Sequence, residues 1–189
     1  MRSMLSVLLL LGLAAGAYAL DASKLDYTFM AGYSKPVGGD WAKNYRSSPF
    51  IGVGAEYDTG TEFRWGLEMG YDSGHEHKVI SAYSPRVLFV APYLKEYRFY
   101  DNWEYYALIG AGLYHRWSPE YTDAGVTYKG GLSGKLGASG GFGGAYYLGD
   151  DMKIGLDVRM HYIRRLLGIN GGMASASNFT PSVTFSKKF

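Results

Sequence analysis

Eight side chains in this sequence could do charge chemistry together: Glu56, Arg64, Glu68, Glu96, Arg98, Asp157, Arg159 and His161. Each is expected on the polar side of a segment that alternates polar and apolar residues. Their carboxylates and guanidiniums nearly balance. Such a set can line a polar conduit, build a catalytic cluster, or pair off within a narrow space where a lone charge would be prohibitive. The near balance favours pairing. Catalysis through His161 needs a nucleophile and an orienting acid. Ile163 stands two residues on, and no Asp or Glu follows Asp157. No catalytic residue is therefore assigned, and His161 is expected as a partner of Asp157 or Arg159. His75-Glu76-His77 sets two imidazoles at i and i+2, but the sequence names no third ligand, so a solvated loop without metal is expected. No cofactor is implied.

Strands must position these groups. From Asn178 onward, Phe179, Pro181, Val183, Phe185 and Phe189 share one face, with Thr180, Ser182, Thr184, Ser186 and Lys188 on the other. Period-two alternation marks a strand with one greasy and one wet side. Seven earlier segments behave alike: Tyr27 to Ser34, Phe50 to Tyr57, Phe63 to Tyr71, one within Tyr83 to Phe99, Trp103 to about Arg116, Leu136 to Leu148, and Lys153 to Tyr162. Pro85 and Pro92 predict a bulge or local break in the fourth. Asp58-Thr59-Gly60-Thr61, Tyr100-Asp101-Asn102 and Gly149-Asp150-Asp151 read as tight turns. The other connections are long: Lys35 to Ser47, Asp72 to Ser81, Trp117 to Gly131, and Ile163 to Ser177.

Composition agrees. The 27 glycines and 18 tyrosines suit strands and turns, and a net charge of +2 gives no reason to expect nucleic acid. The absence of cysteine excludes disulfides and thiolate chemistry. Arg2, the apolar run Met4 to Leu13 and Ala17-Tyr18-Ala19 predict a secretory signal peptide over residues 1–19, leaving 20–189 as one domain. No later apolar run is long enough for a membrane helix.

Which face meets which solvent follows from size. An eight-stranded interior cannot hold Phe63, Trp65, Leu67, Met69 and Tyr71 with their counterparts from seven other strands, so the large residues must face lipid. Tyr57, Phe63, Tyr97, Phe99, Trp103 and Tyr105 are expected in a girdle beside the tight turns, and Tyr33, Tyr71, Trp117 and Tyr162 in the opposite one. Inward glycines, among them Gly52, Gly54, Gly66, Gly110, Gly112, Gly141 and Gly143, either leave a watery gap or make room for Tyr106, Tyr114 and Tyr147. Around the long loops Lys35, Lys43, Arg46, Lys78, Arg116, Lys129, Arg164 and Arg165 outnumber the carboxylates. Such a rim would meet lipopolysaccharide phosphates, with Arg164-Arg165 the sharpest candidate.

The terminal alternating strand, the leader, the eight segments and the turn asymmetry together resemble the small eight-stranded bacterial outer-membrane β-barrels, the OmpA/OmpX/OmpW-like superfamily. The resemblance implies an all-β fold, an antiparallel up-and-down transmembrane β-barrel of porin-like build, in the outer membrane. In that family a terminal aromatic, here Phe189, belongs to the assembly signal, although Lys187 stands where a second aromatic is common. Implied partners are outer-membrane lipid and lipopolysaccharide, with the barrel-assembly machinery and periplasmic chaperones during biogenesis. Some such barrels are lipid A deacylases with a His-x-Ser pair near the end of the seventh strand; Ile163 in the serine's place argues against that activity. The expected role is non-enzymatic, as a cell-envelope or adhesion protein acting through long loops on a surface partner of unknown identity. The alternative is a narrow channel for small, partly apolar solutes.

Overall fold

The computed structural model describes residues 21–80, 82–123, 125–167 and 174–188. The expected signal peptide and Phe189 lie outside them. In chain order the elements are β1 (Leu25–Val37), α1 (Gly39–Asn44), β2 (Ser48–Asp58), β3 (Phe63–Asp72), β4 (Arg86–Tyr100), β5 (Trp103–Ser118), β6 (Tyr121–Asp123), β7 (Val126–Tyr128), β8 (Gly131–Tyr147), β9 (Met152–Leu167) and β10 (Ala174–Lys188). Strands β6 and β7 form a small separate hairpin. The other eight close into a barrel in the order β1-β10-β9-β8-β5-β4-β3-β2. Every neighbouring pair is antiparallel, and β10 returns to β1 through pairs such as Phe29 with Phe185. Closure gives the backbone groups of each strand partners on both sides, as a hydrocarbon setting demands.

Side-chain polarity is inverted relative to a water-soluble barrel. On β3, Trp65 is 46% exposed while Glu68, three residues on, is 1% exposed. Phe29, Ile51, Met69, Leu94, Ile109, Leu156 and Phe185 are likewise exposed, while Asp26, Glu56, Lys95, Glu104, Lys153 and Asp157 are buried. An apolar exterior around a charged interior is the arrangement of a transmembrane barrel.

The tight turns between β2 and β3, β4 and β5, and β8 and β9 gather at one end. In the first, Asp58 accepts the Gly60 amide at 2.8 Å while Gly60 takes φ +75°. The strands run further toward the opposite end than alternation alone suggests. Much of Ile163 to Ser177, expected as loop, is strand in β9 and β10.

The proline expectation is met at Pro92 by a gap in a ladder, whereas Pro85 lies just before β4 begins and interrupts no strand. Along β4 and β5 the pairs run Val90 with Leu113 and then Tyr93 with Gly110, with none between, while Pro92 still pairs with Leu67 on β3. Pro181 repeats this on β10, where the pairing with β1 skips from Ser182 to Phe179. Both gaps keep register. A glycine sits beside each: a Cβ on Gly112 would lie 2.3 Å from the Val90 carbonyl, and one on Gly32 would lie 2.1 Å from that of Pro181. These close backbone approaches admit no larger residue.

Candidate functional site: a filled lumen and its cap

The lowest layer, nearest the tight turns, is a knot of paired charge. Glu104 on β5 meets Arg64 at 2.8 Å, Lys95 at 3.2 Å and Lys153 at 3.3 Å, and accepts the Tyr147 hydroxyl at 2.8 Å. Lys95 reaches both oxygens of Glu56 at 2.7 Å, and Lys153 reaches Asp26 at 2.8 Å. Tyr93 donates to Glu56 at 2.8 Å. Two cations also stand over rings, Arg64 over Tyr97 at 4.0 Å and Lys95 over Tyr106 at 4.1 Å. Charges this deep persist only when each is matched and hydrogen-bonded.

Above it, the Arg159 guanidinium contacts Glu68 and donates through Nε to Asp157 at 2.7 Å, while the Tyr106 hydroxyl donates to the same carboxylate at 2.8 Å. A third layer is aromatic. Phe89 stacks on Tyr114 with centroids 5.1 Å apart and lies 4.8 Å from His161, whose Nδ1 is hydrogen-bonded to the Tyr114 hydroxyl at 2.9 Å.

Loops close the far mouth. The short helix α1 drives Trp41 into the barrel, fully buried, with its indole N–H donating to Asn178 on β10. Asn178 donates in turn to Asp72 at 3.3 Å. His75 lies 3.4 Å from that carboxylate through Nε2, and its Nδ1 contacts the Arg46 carbonyl at 2.9 Å. A carbonyl can only accept, so Nδ1 carries the proton. Tyr45 packs on Trp41 at 4.2 Å and on His77 at 5.1 Å, and Tyr83 continues the stack to Tyr121 at 4.8 Å. Backbone bonds from Arg46 to Glu76 (2.9 Å) and from Lys78 to Asn44 (2.7 Å) lock the first two long loops together.

His75 and His77 were expected in a solvated loop; they are buried instead, because Trp41 and Tyr45 fold over them. Among the described residues no group of three His, Cys, Asp or Glu is placed to hold a metal. Burial lowers the His77 imidazole below its ordinary pKa. Its Nδ1 accepts the amides of Val79 (3.3 Å) and Ile80 (3.1 Å), a role protonation would abolish. The folded cap thus binds fewer protons at this site than the unfolded loop. Its stability is at full strength above the ordinary imidazole range and is lost as pH falls through the lowered value. The protection of amides 75–80 relative to their intrinsic exchange rates should fall as pH is lowered from about 7.5 to about 5, and His77→Gln should flatten that pH dependence; an unchanged slope in the variant would assign the effect to another group.

The structure gathers six of the eight expected lumen residues inside: Glu56, Arg64, Glu68, Asp157, Arg159 and His161. His161 bonds to Tyr114, not to Asp157 or Arg159 as expected. Glu96 and Arg98 do not belong there. They stand on the outward face of β4, paired with each other at 2.8 Å, and Arg98 also meets Glu62 at 3.0 Å. The parity of β4 is the opposite of that expected: Tyr93, Lys95 and Tyr97 point inward, so Tyr97 leaves the girdle and joins the lumen, and Phe99, on the same parity, packs on Tyr97 at 5.2 Å and on Tyr147 at 5.8 Å. Asp26, Lys95, Glu104 and Lys153 complete the network without having been singled out. Three of them were within reach, since Glu104 lies between Trp103 and Tyr105, Asp26 between Leu25 and Tyr27, and Lys153 between Met152 and Ile154, all on the polar parity.

The inward glycines make room for rings. A Cβ on Gly66 would fall 2.5 Å from Tyr93, one on Gly70 2.4 Å from Phe89, and one on Gly143 2.4 Å from the Tyr106 hydroxyl. Among the lumen residues from Thr28 to Ser186 that surround the charge layers, the space open to the centre of a water molecule is about 10 Å³. That is room for roughly one water.

Comparison with known proteins agrees with this geometry. Residues 5–186 match the family described as the outer membrane protein beta-barrel domain. The chain belongs to that family. It is therefore a bacterial outer-membrane barrel. No curated protein matches it in sequence. Among solved structures, Neisserial surface protein A superposes with a TM-score of 0.61 at 12% identity, over 88% of this chain and 97% of that one. The N-terminal β-barrel domain of Pseudomonas aeruginosa OprF gives 0.50 at 12% identity, over 85% and 96%. Outer membrane protein OprG of the same organism gives 0.50 at 14% identity, over 87% and 95%. At such identities the likeness is one of fold.

Proposed function

We propose that this family member is a non-enzymatic surface protein of the outer membrane, whose work is done by its long extracellular loops in an envelope-structural or adhesive role. The observation that supports this reading is the packing among the described lumen residues: the space between the charge layers is about 10 Å³, and an aromatic layer and a loop cap lie above it. A channel for small solutes would need a continuous path through the same space. The loops, in contrast, present apolar tips to solvent, with Val79 85% and Val126 55% exposed. Exposed apolar tips among polar neighbours suit protein contact.

Arg164 is exposed on β9 near the loop end, a placement suited to lipopolysaccharide phosphate; the side chain of Arg165 lies outside the described residues.

Planar-bilayer recording tests the central point. Refolded residues 20–189, restricted to material whose gel mobility shifts on heating, should give no discrete openings. Reproducible openings from that same material would replace the surface role with transport.

A further inference from the structure

Closure of the barrel does not extend to the loop end of the wall. The β8–β9 ladder stops at Gly137 with Ile163. Above that pair β8 continues to Gly131 with β5 alone, and β9 continues to Leu167 with β10 alone. Among the described strands, residues 131–136 of β8 therefore have a neighbour on one side only. Tyr162, one residue below the last pair and 51% exposed, marks the outer headgroup level, so the edge opens at the membrane surface and not in hydrocarbon.

Two turn bonds tell which backbone groups are left over. Tyr147 donates its amide to the Asn102 carbonyl at 2.9 Å, and Leu148 donates to the Met152 carbonyl at 2.9 Å. Both ladders keep an unbroken register from there. Odd-numbered residues of β8 thus bond to β5, and even-numbered ones face β9. Along the open edge Leu132, Gly134 and Leu136 direct their N–H and C=O groups sideways, with no described strand to receive them. The side chains there have one texture and one sign. Leu132 and Leu136 share the outer face, 73% and 71% exposed, while Lys135 lies on the other face in register with Tyr114. Lys129 and Lys135 are the only charged residues between Asp123 and Asp150.

We propose that this edge docks an extended segment of a partner protein, one that alternates apolar with acidic residues and adds to β8 as a further strand. Leu132, Gly134 and Leu136 supply the main-chain bonds. The partner's apolar residues lie beside Leu132 and Leu136, and an acidic one lies beside Lys135. A second copy of this chain fits worse, since its β8 would bring the same two lysines and no carboxylate. The inference deepens the surface role proposed above and rests on it. Peptide binding and conductance are separate readouts, so either can fail alone.

Amide exchange of refolded residues 20–189 in lipid nanodiscs, with a blocked peptide of about ten residues alternating valine and glutamate, tests the edge. Without peptide, the amides of Leu132, Gly134 and Leu136 should exchange fast and those of Ser133 and Lys135 slowly. Saturating peptide should slow the first three by roughly tenfold or more. A peptide alternating valine and lysine should bind about tenfold more weakly. Lys135→Glu should reverse that preference. Leu132→Pro removes one edge amide without touching the bonds to β5, and should weaken the valine–glutamate peptide more than Leu132→Ala does. Edge amides already protected in the free protein, equal binding of the two peptides, a preference that survives Lys135→Glu, or protection that rises with protein concentration alone would each overturn the proposal.

Discussion

Glu104→Gln should destabilise the folded barrel by roughly 3–5 kcal/mol, the usual cost of removing one partner from a buried ion pair. The carboxylate is 1% exposed and is shared by Arg64, Lys95 and Lys153, which come from three different strands. Glutamine keeps the shape and one acceptor but strips the charge that holds those cations in the lumen. Each cation retains some compensation, Lys95 from Glu56 and Lys153 from Asp26, which argues for the lower end of the range. Denaturant titration of the protein in lipid vesicles reads the change directly. Adding Lys153→Met to Glu104→Gln should recover part of the loss, because it removes one stranded cation. A shift in the single variant below about 1 kcal/mol would mean that water reaches this layer freely.

Trp41→Ala should release the cap and leave the barrel standing. Truncating a large buried aromatic costs about 3–5 kcal/mol. Here the loss falls on the loops, because Trp41 joins α1 to β10 through Asn178 and supports Tyr45 and His75. Exchange protection of residues 39–47 and 75–80 should drop by roughly a hundredfold or more, while β2 to β5 keep theirs. Bilayers should stay silent, since the charge layers lie below the cap. Openings from the variant would identify the cap, and not the charges, as the seal. Loss of the heat-dependent gel shift would show that the cap is part of the barrel's global stability.

Much of this architecture is legible in the sequence, because alternation reports directly which residues share a face. Phe63 to Tyr71 shows how clean the signal can be: aromatics and aliphatics on one parity, Arg64 and Glu68 with glycines on the other. Along β4 the same signal divides. Tyr93, Lys95 and Tyr97 compete with Leu94, Glu96 and Arg98, each parity holding both charge and apolar bulk, so periodicity alone cannot orient the strand. The neighbours decide it, through Gly66 making space for Tyr93 and Glu56 receiving Lys95. The cap is hidden for a different reason. Trp41 and Asn178 lie 137 residues apart, and no local pattern announces that a loop tryptophan will seek a strand asparagine across the mouth. His75 and His77 looked wet because polar loop residues usually are; the aromatic covers that bury them belong to another loop.

The ladder between β1 and β10 has a consequence in time. Asp26 stands opposite Lys188, so the seam joins nearly opposite ends of the described sequence. While β10 is still missing, β1 and β9 are bare strand edges, and such edges recruit any passing strand. The gain from closure arrives last and all at once, after the largest loop entropy in the fold has been spent. The vulnerable species is therefore the nearly complete sheet, apolar outside and open at the seam, and the speed of the final zipping sets how long it must be shielded.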